Sequence, residues 1–222
     1  PAVLGVVSAL TVLPLYFELD GTFPNHEANP LEPANLVDLQ KFVLSTGADL
    51  GLAFDGDADR CFVVDERGEP VSPSAVTALV AGRELNREIG ATIIHNLITS
   101  RAVPELVIER GGMPLRSRVG HSYIKGLMAE SGAIFGGEHS AHYYFRDFSQ
   151  ADTGVVPFLL GGPGLAPRRE AGFGRSPWRG GKTGHSRDGL VWPSGRLAHR
   201  RGRRLQGVVE PWRRTAKGLS SS

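Results

Sequence analysis

The chain has 222 residues, which is enough for one or two domains, and its single cysteine, Cys61, excludes an internal disulfide. No apolar run is long enough for a bilayer-spanning helix, so we expect no membrane partner, and the lone cysteine fits a reducing, cytoplasmic location. The net charge of +2 conceals an acidic part, residues 1–160 with a net charge of −9, and a basic part, residues 161–222 with a net charge of +11.

The acidic part begins without a Met or a basic stretch, so we expect no signal peptide and a chain entered partway through. After that, short apolar runs alternate with segments of helical spacing that end at Gly. The predicted strands are Leu10–Phe17, Leu50–Phe54, Cys61–Val64, Ala91–Leu97, Leu115–Val119, Ala133–Phe135 and His142–Phe145. The predicted helices run from Pro33 to Gly47, Ser72 to Gly90, Ser100 to Gly111 and Ser122 to Gly132. This alternation predicts an α/β fold of three-layer α/β/α domains with mixed, mainly parallel sheets.

A cluster of carboxylates directly follows the apolar run Leu50–Phe54. Asp55, Asp57 and Asp59 alternate with two small residues, so the loop can curl and direct all three carboxylates to one point. Oxygen ligands of this kind suit hard cations such as Mg²⁺ or Ca²⁺. Arg60 comes next, with a guanidinium that can hold a phosphate by two parallel hydrogen bonds. The loop therefore predicts a metal site for phosphoryl chemistry.

A calcium-binding helix-loop-helix is the main alternative for this loop. Such a loop needs an acid at its twelfth position, which Glu66 supplies, but it also needs Gly at its sixth position, where Arg60 stands. The predicted flanking elements are strands rather than helices, which also disfavours it. A solvated turn without a cation is disfavoured because it would crowd three like charges.

Two further stretches carry side chains suited to a sugar phosphate. In Gly-Gly-Glu-His-Ser-Ala-His the Gly pair permits a tight turn, Glu138 can accept from two hydroxyls, and Ser140 and His142 can donate or accept. Gly120 and His121 open a predicted helix, whose N-terminus favours an anion. Each stretch taken alone is more often an ordinary turn or a helix cap.

The order of these motifs resembles the α-D-phosphohexomutase superfamily, and bacterial phosphomannomutase/phosphoglucomutase in particular. The shared motifs are Phe-Asp-Gly-Asp-Ala-Asp-Arg, Gly-His-Ser and Gly-Glu-His-Ser-Ala-His, with Phe-Pro-Asn-His-Glu-Ala-Asn-Pro before the metal loop. The resemblance covers residues 12–158. It implies that residues 1–68 are the C-terminal part of the family's second domain and that residues 69–160 are an incomplete third domain.

The resemblance implies interconversion of hexose 1-phosphates and hexose 6-phosphates through a phosphoserine and a bisphosphorylated sugar. It implies Asp55, Asp57 and Asp59 as ligands of Mg²⁺ and Arg60 and His121 as catalytic residues. The implied substrate-binding residues are Gly120, Glu138, Ser140, His142, Ser100 and Arg101. The choice between mannose and glucose stays open, as does the oligomeric state.

Two motifs of the family do not occur in these residues: the Thr-x-Ser-His-Asn-Pro serine loop and the Arg-x-Ser-x-Thr-Glu-Pro phosphate loop. In addition, Ile98 stands where relatives often carry a Lys that contacts phosphate, so Ser100 or Arg101 would have to make that contact. We therefore expect weak Mg²⁺ binding and no mutase turnover from this chain alone.

The basic part, residues 161–222, is rich in Gly, Pro, Arg and Ser and shows neither helical nor strand spacing. It cannot bury enough surface to offset the entropy of ordering, so we predict a disordered tail. A reading-frame shift is a further hypothesis for the abrupt change in composition, and translating the parent DNA in the other two frames would test it.

Two alternative functions stay open for the chain. The basic tail could bind nucleic acid or other polyanions electrostatically, although its sparse aromatic residues disfavour this. A structural alternative is a chain that folds poorly because residues 1–66 leave an open sheet edge, which invites aggregation.

Overall fold

A computed structural model of the chain describes residues 10–18 and 20–154 and the backbone of residues 205–210. The strands are β1 (Leu10–Pro14), β2 (Leu50–Phe54), β3 (Cys61–Asp65), β4 (Pro70–Val71), β5 (Thr92–Asn96), β6 (Met113–Ser117), β7 (Phe135–Gly137), β8 (Tyr143–Phe145) and β9 (Leu205–Glu210). The α-helices are α1 (Val37–Thr46), α2 (Pro73–Arg87), α3 (Ala102–Glu109) and α4 (His121–Ser131). Two 3₁₀ helices cover Pro33–Leu36 and Arg146–Phe148.

The strands form two mixed sheets. The first has the order β1-β9-β2-β3-β4, in which β1, β9 and β2 are parallel and β3 and β4 are antiparallel to their neighbours. The second has the order β6-β5-β7-β8, in which only β8 is antiparallel to its neighbour. The prediction of an α/β fold with mixed, mainly parallel sheets is confirmed.

Several element bounds differ from the predictions for local reasons. β1 ends at Pro14 rather than Phe17, because Pro has no N–H for the ladder and Tyr16 has a φ of +55°. The predicted helix from Pro33 begins as a 3₁₀ turn and becomes α1 only at Val37. Gly47 ends it in the left-handed conformation, as the sequence predicts.

Two strands were not predicted. β4 pairs with β3, with Val71 opposite Val63. It thereby extends the first sheet past residue 68, where the sequence predicts a domain boundary. β9 belongs to the tail predicted to be disordered, and its backbone instead pairs along both β1 and β2. The open edge expected for residues 1–66 is therefore occupied at β2. The rest of the predicted tail lies outside the described residues.

One apolar core joins the two sheets. β2 and β3 are buried along their whole length, and α2 is buried along most of its own and packs on β7. Leu52, Val64, Val80, Ile93 and Phe135 belong to the same cluster of buried side chains. The end of β2 and the end of β7 are thereby held on a shared core. Within the described residues, no helix is long and apolar enough to cross a membrane.

Candidate metal and sugar-binding site

The metal loop begins where β2 ends. The N–H of Ala58 donates to the carbonyl of Asp55 at 3.1 Å, and Ala58 has a φ of +61°, so the chain turns sharply between the carboxylates. Arg60 anchors the turn, because its backbone N–H donates to Asp55 Oδ1 at 3.1 Å and its Nε donates to Asp55 Oδ2. Carboxylate oxygens of Asp55, Asp57 and Asp59 lie within 4.8 Å of one another. The curl expected from the short spacer residues is present.

The Asp59 carboxylate of this loop has a buried oxygen, Oδ1, that lacks a hydrogen-bond donor among the described residues. The nearest cation, Arg60 Nε, lies 3.8 Å away. Burial, and then the neighbouring Asp55 carboxyl, raise the pKa of Asp59 to about 6. A buried oxygen without a donor, beside two further carboxylates, fits the donor set that a hard divalent cation takes.

A second loop, residues 138–142 and called the sugar loop below, begins where β7 ends. The N–H of Glu138 donates to the carbonyl of His142, and the N–H of Ala141 donates back to the carbonyl of Glu138 at 3.2 Å. Ala141 takes a φ of +68°, so this loop also turns sharply. The Glu138 side chain points into the protein and is 2% exposed.

Four groups surround the Glu138 carboxylate. Its Oε1 accepts from Asn96 Nδ2 at 3.1 Å and from the N–H of Gly120 at 3.2 Å. Its Oε2 accepts from Tyr144 Oη at 2.8 Å and lies 3.5 Å from His142 Nδ1. Donors from β5, from the residue before α4 and from β8 therefore hold the carboxylate in one orientation.

His142 joins the two loops. Its Nε2 lies 3.3 Å from Asp59 Oδ2, and its Nδ1 lies 3.0 Å from Ser140 Oγ. The backbones meet there as well, since Arg60 and His142 form an antiparallel bridge and the N–H of Cys61 donates to the carbonyl of Ala141. If Ser140 donates to Nδ1, the proton on Nε2 faces Asp59, so His142 orients the metal loop towards the sugar loop.

A cavity of about 390 Å³ opens over the metal loop. Its lining consists of Phe23, Ala28, Asp55, Gly56, Asp57, Asp59, Arg60 and His142. This volume falls in the range of small-molecule sites, and it brings carboxylates, a guanidinium and an imidazole to one space. Such a lining offers oxygen ligands to a cation and a guanidinium to an anion such as phosphate.

The remaining predicted residues lie at different distances from this cluster. Gly120 contacts Glu138 directly, whereas His121, at the start of α4, is exposed. Arg101 is 95% exposed on its side chain and lies 3.9 Å from Glu105. Ser100 is tied to the sugar loop indirectly, because its N–H donates to Ser74 Oγ, which lies 2.9 Å from His139 Nδ1.

Three residues of the site were not predicted: Asn96, Tyr144 and Ser74. Asn96 is fully buried at the C-terminal end of β5, and a polar residue ending an apolar strand is a signal that the sequence does carry. Tyr144 lies in the aromatic run of β8 beside Tyr143. The sequence does not show which of the two tyrosine hydroxyls has a hydrogen-bond partner. Ser74 lies in the first turn of α2, where no signal in the sequence indicates its contact with His139.

Comparison with known proteins places these features in a family. Residues 1–68 match the family model described as phosphoglucomutase/phosphomannomutase, alpha/beta/alpha domain II, and residues 72–161 match the model of alpha/beta/alpha domain III. A phosphomannomutase of Vibrio cholerae is 44% identical over 151 residues, which are 68% of this chain and 33% of the relative. A phosphomannomutase of Escherichia coli K12 is 45% identical over 141 residues, which are 64% of this chain and 31% of the relative.

A solved structure shows the same relationship. The phosphoglucomutase/phosphomannomutase family protein of Burkholderia thailandensis superposes with a TM-score of 0.64 at 39% identity, over 66% of this chain and 32% of that chain. The chain thus spans about a third of the length of the relatives it matches. Each half of the described region matches one of the two family models. The chain belongs to the phosphoglucomutase/phosphomannomutase family.

Proposed function

We propose that this chain carries the metal loop and the sugar-binding loop of an enzyme that interconverts hexose 1-phosphates and hexose 6-phosphates. The observation that carries the proposal is the 3.3 Å approach of His142 Nε2 to Asp59 Oδ2 over one cavity. Relatives named phosphomannomutase support it. Residues 1–68 would be part of the family's second domain and residues 69–160 part of its third.

Asp55, Asp57 and Asp59 would hold Mg²⁺, because their oxygens converge and Asp59 Oδ1 lacks a donor among the described residues. When bound, the cation would supply neutralisation of phosphoryl charge and alignment of the transferring group. Arg60 is fixed through its Nε to Asp55, so its outer guanidinium nitrogens are left to face a phosphate in the cavity.

The sugar loop would read the hydroxyls of the substrate. Ser140 and His142 are half-buried beside the cavity and can each donate or accept. Glu138 meets three protein donors, so a sugar hydroxyl that binds it must share one of its oxygens with Tyr144 or Asn96. His121, at the start of α4, and Ser100 and Arg101, just before α3, would contact phosphate. We propose no mutase turnover for this chain alone, because the family's serine loop and phosphate loop do not occur in its sequence.

Binding of a hexose phosphate tests this function. We expect mannose 1-phosphate or glucose 1-phosphate to give saturation-transfer NMR signals with the full chain when Mg²⁺ is added. Asp57→Asn should weaken the Mg²⁺-dependent signal at least about tenfold, because even outer partners of metal ligands contribute that much. Asp57 is exposed, so the variant should fold normally.

Glu109→Gln is the matched control, since it removes an exposed carboxylate at the end of α3. It should leave the signal unchanged. If neither sugar phosphate binds the chain in the presence of Mg²⁺, the proposed function is wrong. Turnover by the isolated chain in a coupled assay would contradict the expected lack of activity.

The raised pKa of Asp59 predicts that the affinity for Mg²⁺ depends on pH. This pKa is raised to about 6 from 3.8, so without a cation the folded chain keeps a proton on Asp59 at pH values where the unfolded chain has lost it. A cation needs the ionised carboxylate and must displace that proton. We therefore expect Mg²⁺ affinity to fall as the pH is lowered through about 6, with proton release on binding.

Calorimetric titration in two buffers of different ionisation enthalpy measures both quantities. The cation-free fold also loses stability as the pH rises through the interval between the two pKa values, because the unfolded chain releases a proton there that the folded chain retains, and Asp59→Asn should remove this pH dependence. An affinity for Mg²⁺ that does not change across this interval would show that Asp59 is not a ligand.

A further inference from the structure

The strand β9 joins two parts of the first sheet. Its backbone pairs in parallel with β1, from Leu10 opposite Leu205 to Pro14 opposite Val209. On its other side it pairs in parallel with β2, from Leu50 opposite Gly207 to Ala53 opposite Glu210. β1 stands at the end of the sheet order, so β9 is the strand through which β1 reaches the rest of the sheet.

The position between β1 and β2 has a demanding geometry. The connection from β1 to β2 runs through α1 and skips one strand position, which leaves two parallel edges facing each other. The strand that fills the position here is parallel to both, and a parallel neighbour cannot come from a tight hairpin. It has to come from a remote part of the sequence, as β9 does after residues 155–204.

Leaving the position vacant would be costly. β2 is buried along its whole length, with Leu50, Leu52 and Phe54 at most 3% exposed. On the side facing β1, its backbone N–H and C=O groups would lose their ladder partners, and buried backbone groups without partners are strongly unfavourable. A long apolar edge of this kind also pairs readily with other chains.

We propose that the position between β1 and β2 is a binding site for one parallel β-strand and that residues 205–210 of this chain occupy it by strand addition. The segment has the composition of such an occupant, with two adjacent Val residues and no Pro. Because β2 runs directly into Asp55, the added strand also supports the base of the metal loop. The tail thus has a structural role in the half of the fold that carries the carboxylates.

Hydrogen exchange on the full chain tests this inference. Val208→Pro removes a backbone donor from a strand that is flanked on both sides, which a central strand does not tolerate. We expect the amides of β1 and β2 to exchange at least about tenfold faster in this variant. The amides of β5 and β6, in the second sheet, should keep their protection. Ser220→Pro, in the same tail but outside β9, is the control and should change neither sheet.

A peptide measures the binding site directly. When a synthetic peptide of residues 203–212 is added to the full-length Val208→Pro chain, it should restore the protection of β1 and β2, whereas a scrambled peptide should not. Unchanged protection of β1 and β2 in Val208→Pro would overturn the inference. So would an equal loss in both sheets, or a failure of the peptide to restore protection.

Discussion

Gly137→Ala is expected to destabilise the protein by about 3 kcal/mol, the upper end of the usual cost of overpacking a core. A Cβ at this position would overlap Thr77 Cγ2 and lie 2.6 Å from Thr77 Oγ1. Thr77 cannot move aside easily, because it is fully buried in α2, is branched at Cβ and donates from Oγ1 to the carbonyl of Pro73 at 2.9 Å. Since Glu138 follows directly, the displaced strand end would also move the sugar loop.

Urea unfolding followed by circular dichroism measures this effect. Gly126→Ala is the matched control, because it makes the same substitution in α4 where a Cβ meets no atom within 4 Å. That variant should be more stable by up to about 1 kcal/mol, since Ala restricts the unfolded chain and favours the helix. Equal unfolding midpoints for Gly137→Ala and the unchanged protein would show that the contact between β7 and α2 is looser than described.

Tyr144→Phe is expected to cost about 2 kcal/mol, the usual value of a hydrogen bond to a charged group. The variant removes the donor that lies 2.8 Å from Glu138 Oε2 in a fully buried environment. Burial, and then the bond to Glu138, raise the pKa of Tyr144 far above its usual value, so the hydroxyl stays protonated and donates at any working pH. Asn96 and Gly120 would remain on Oε1, but Oε2 would keep only His142 nearby.

Tyr143→Phe is the control that the chain itself offers. Tyr143 is the preceding residue of β8 and is equally buried, but its hydroxyl has no hydrogen-bond partner within the part of the chain that the structure describes. Removing it should be neutral or stabilising, because a buried hydroxyl without a partner carries a desolvation cost. Equal losses of stability in the two variants would show that the Tyr144 bond to Glu138 contributes nothing.

Much of the fold could be predicted because its signals are local. The all-apolar run of β2, the Gly that ends α1 and the spacing of the three aspartates each depend on a few neighbouring residues. Helix ends and tight turns follow from backbone sterics, which a short window of sequence records. The metal loop is the clearest case, since small spacer residues between carboxylates allow the tight curl that the structure shows.

The partners of the site residues could not be predicted, because contacts between distant residues depend on how the sheets pack. The sequence predicts Glu138 as a residue that meets sugar hydroxyls, but it does not predict that Asn96 of β5 and Tyr144 of β8, the strands on either side of β7, donate to its carboxylate. The adjacent tyrosines of β8 look alike in sequence, but only Tyr144 faces the carboxylate, since side chains alternate across a strand.

The family, the metal loop and the alternation of strands and helices could be recognised from the sequence by itself. Each of these features depends on residues that are close together along the chain. Only the tertiary structure decided that Asp59 meets His142, that Glu138 is enclosed, and that β9 stands between β1 and β2. These contacts join residues that are far apart in the chain. The contacts of the two loops form because β2 and β7, which lead into them, are buried in one shared core. The shared core sets which strand ends meet, and the buried backbone and carboxyl groups must then take whichever partners lie within reach.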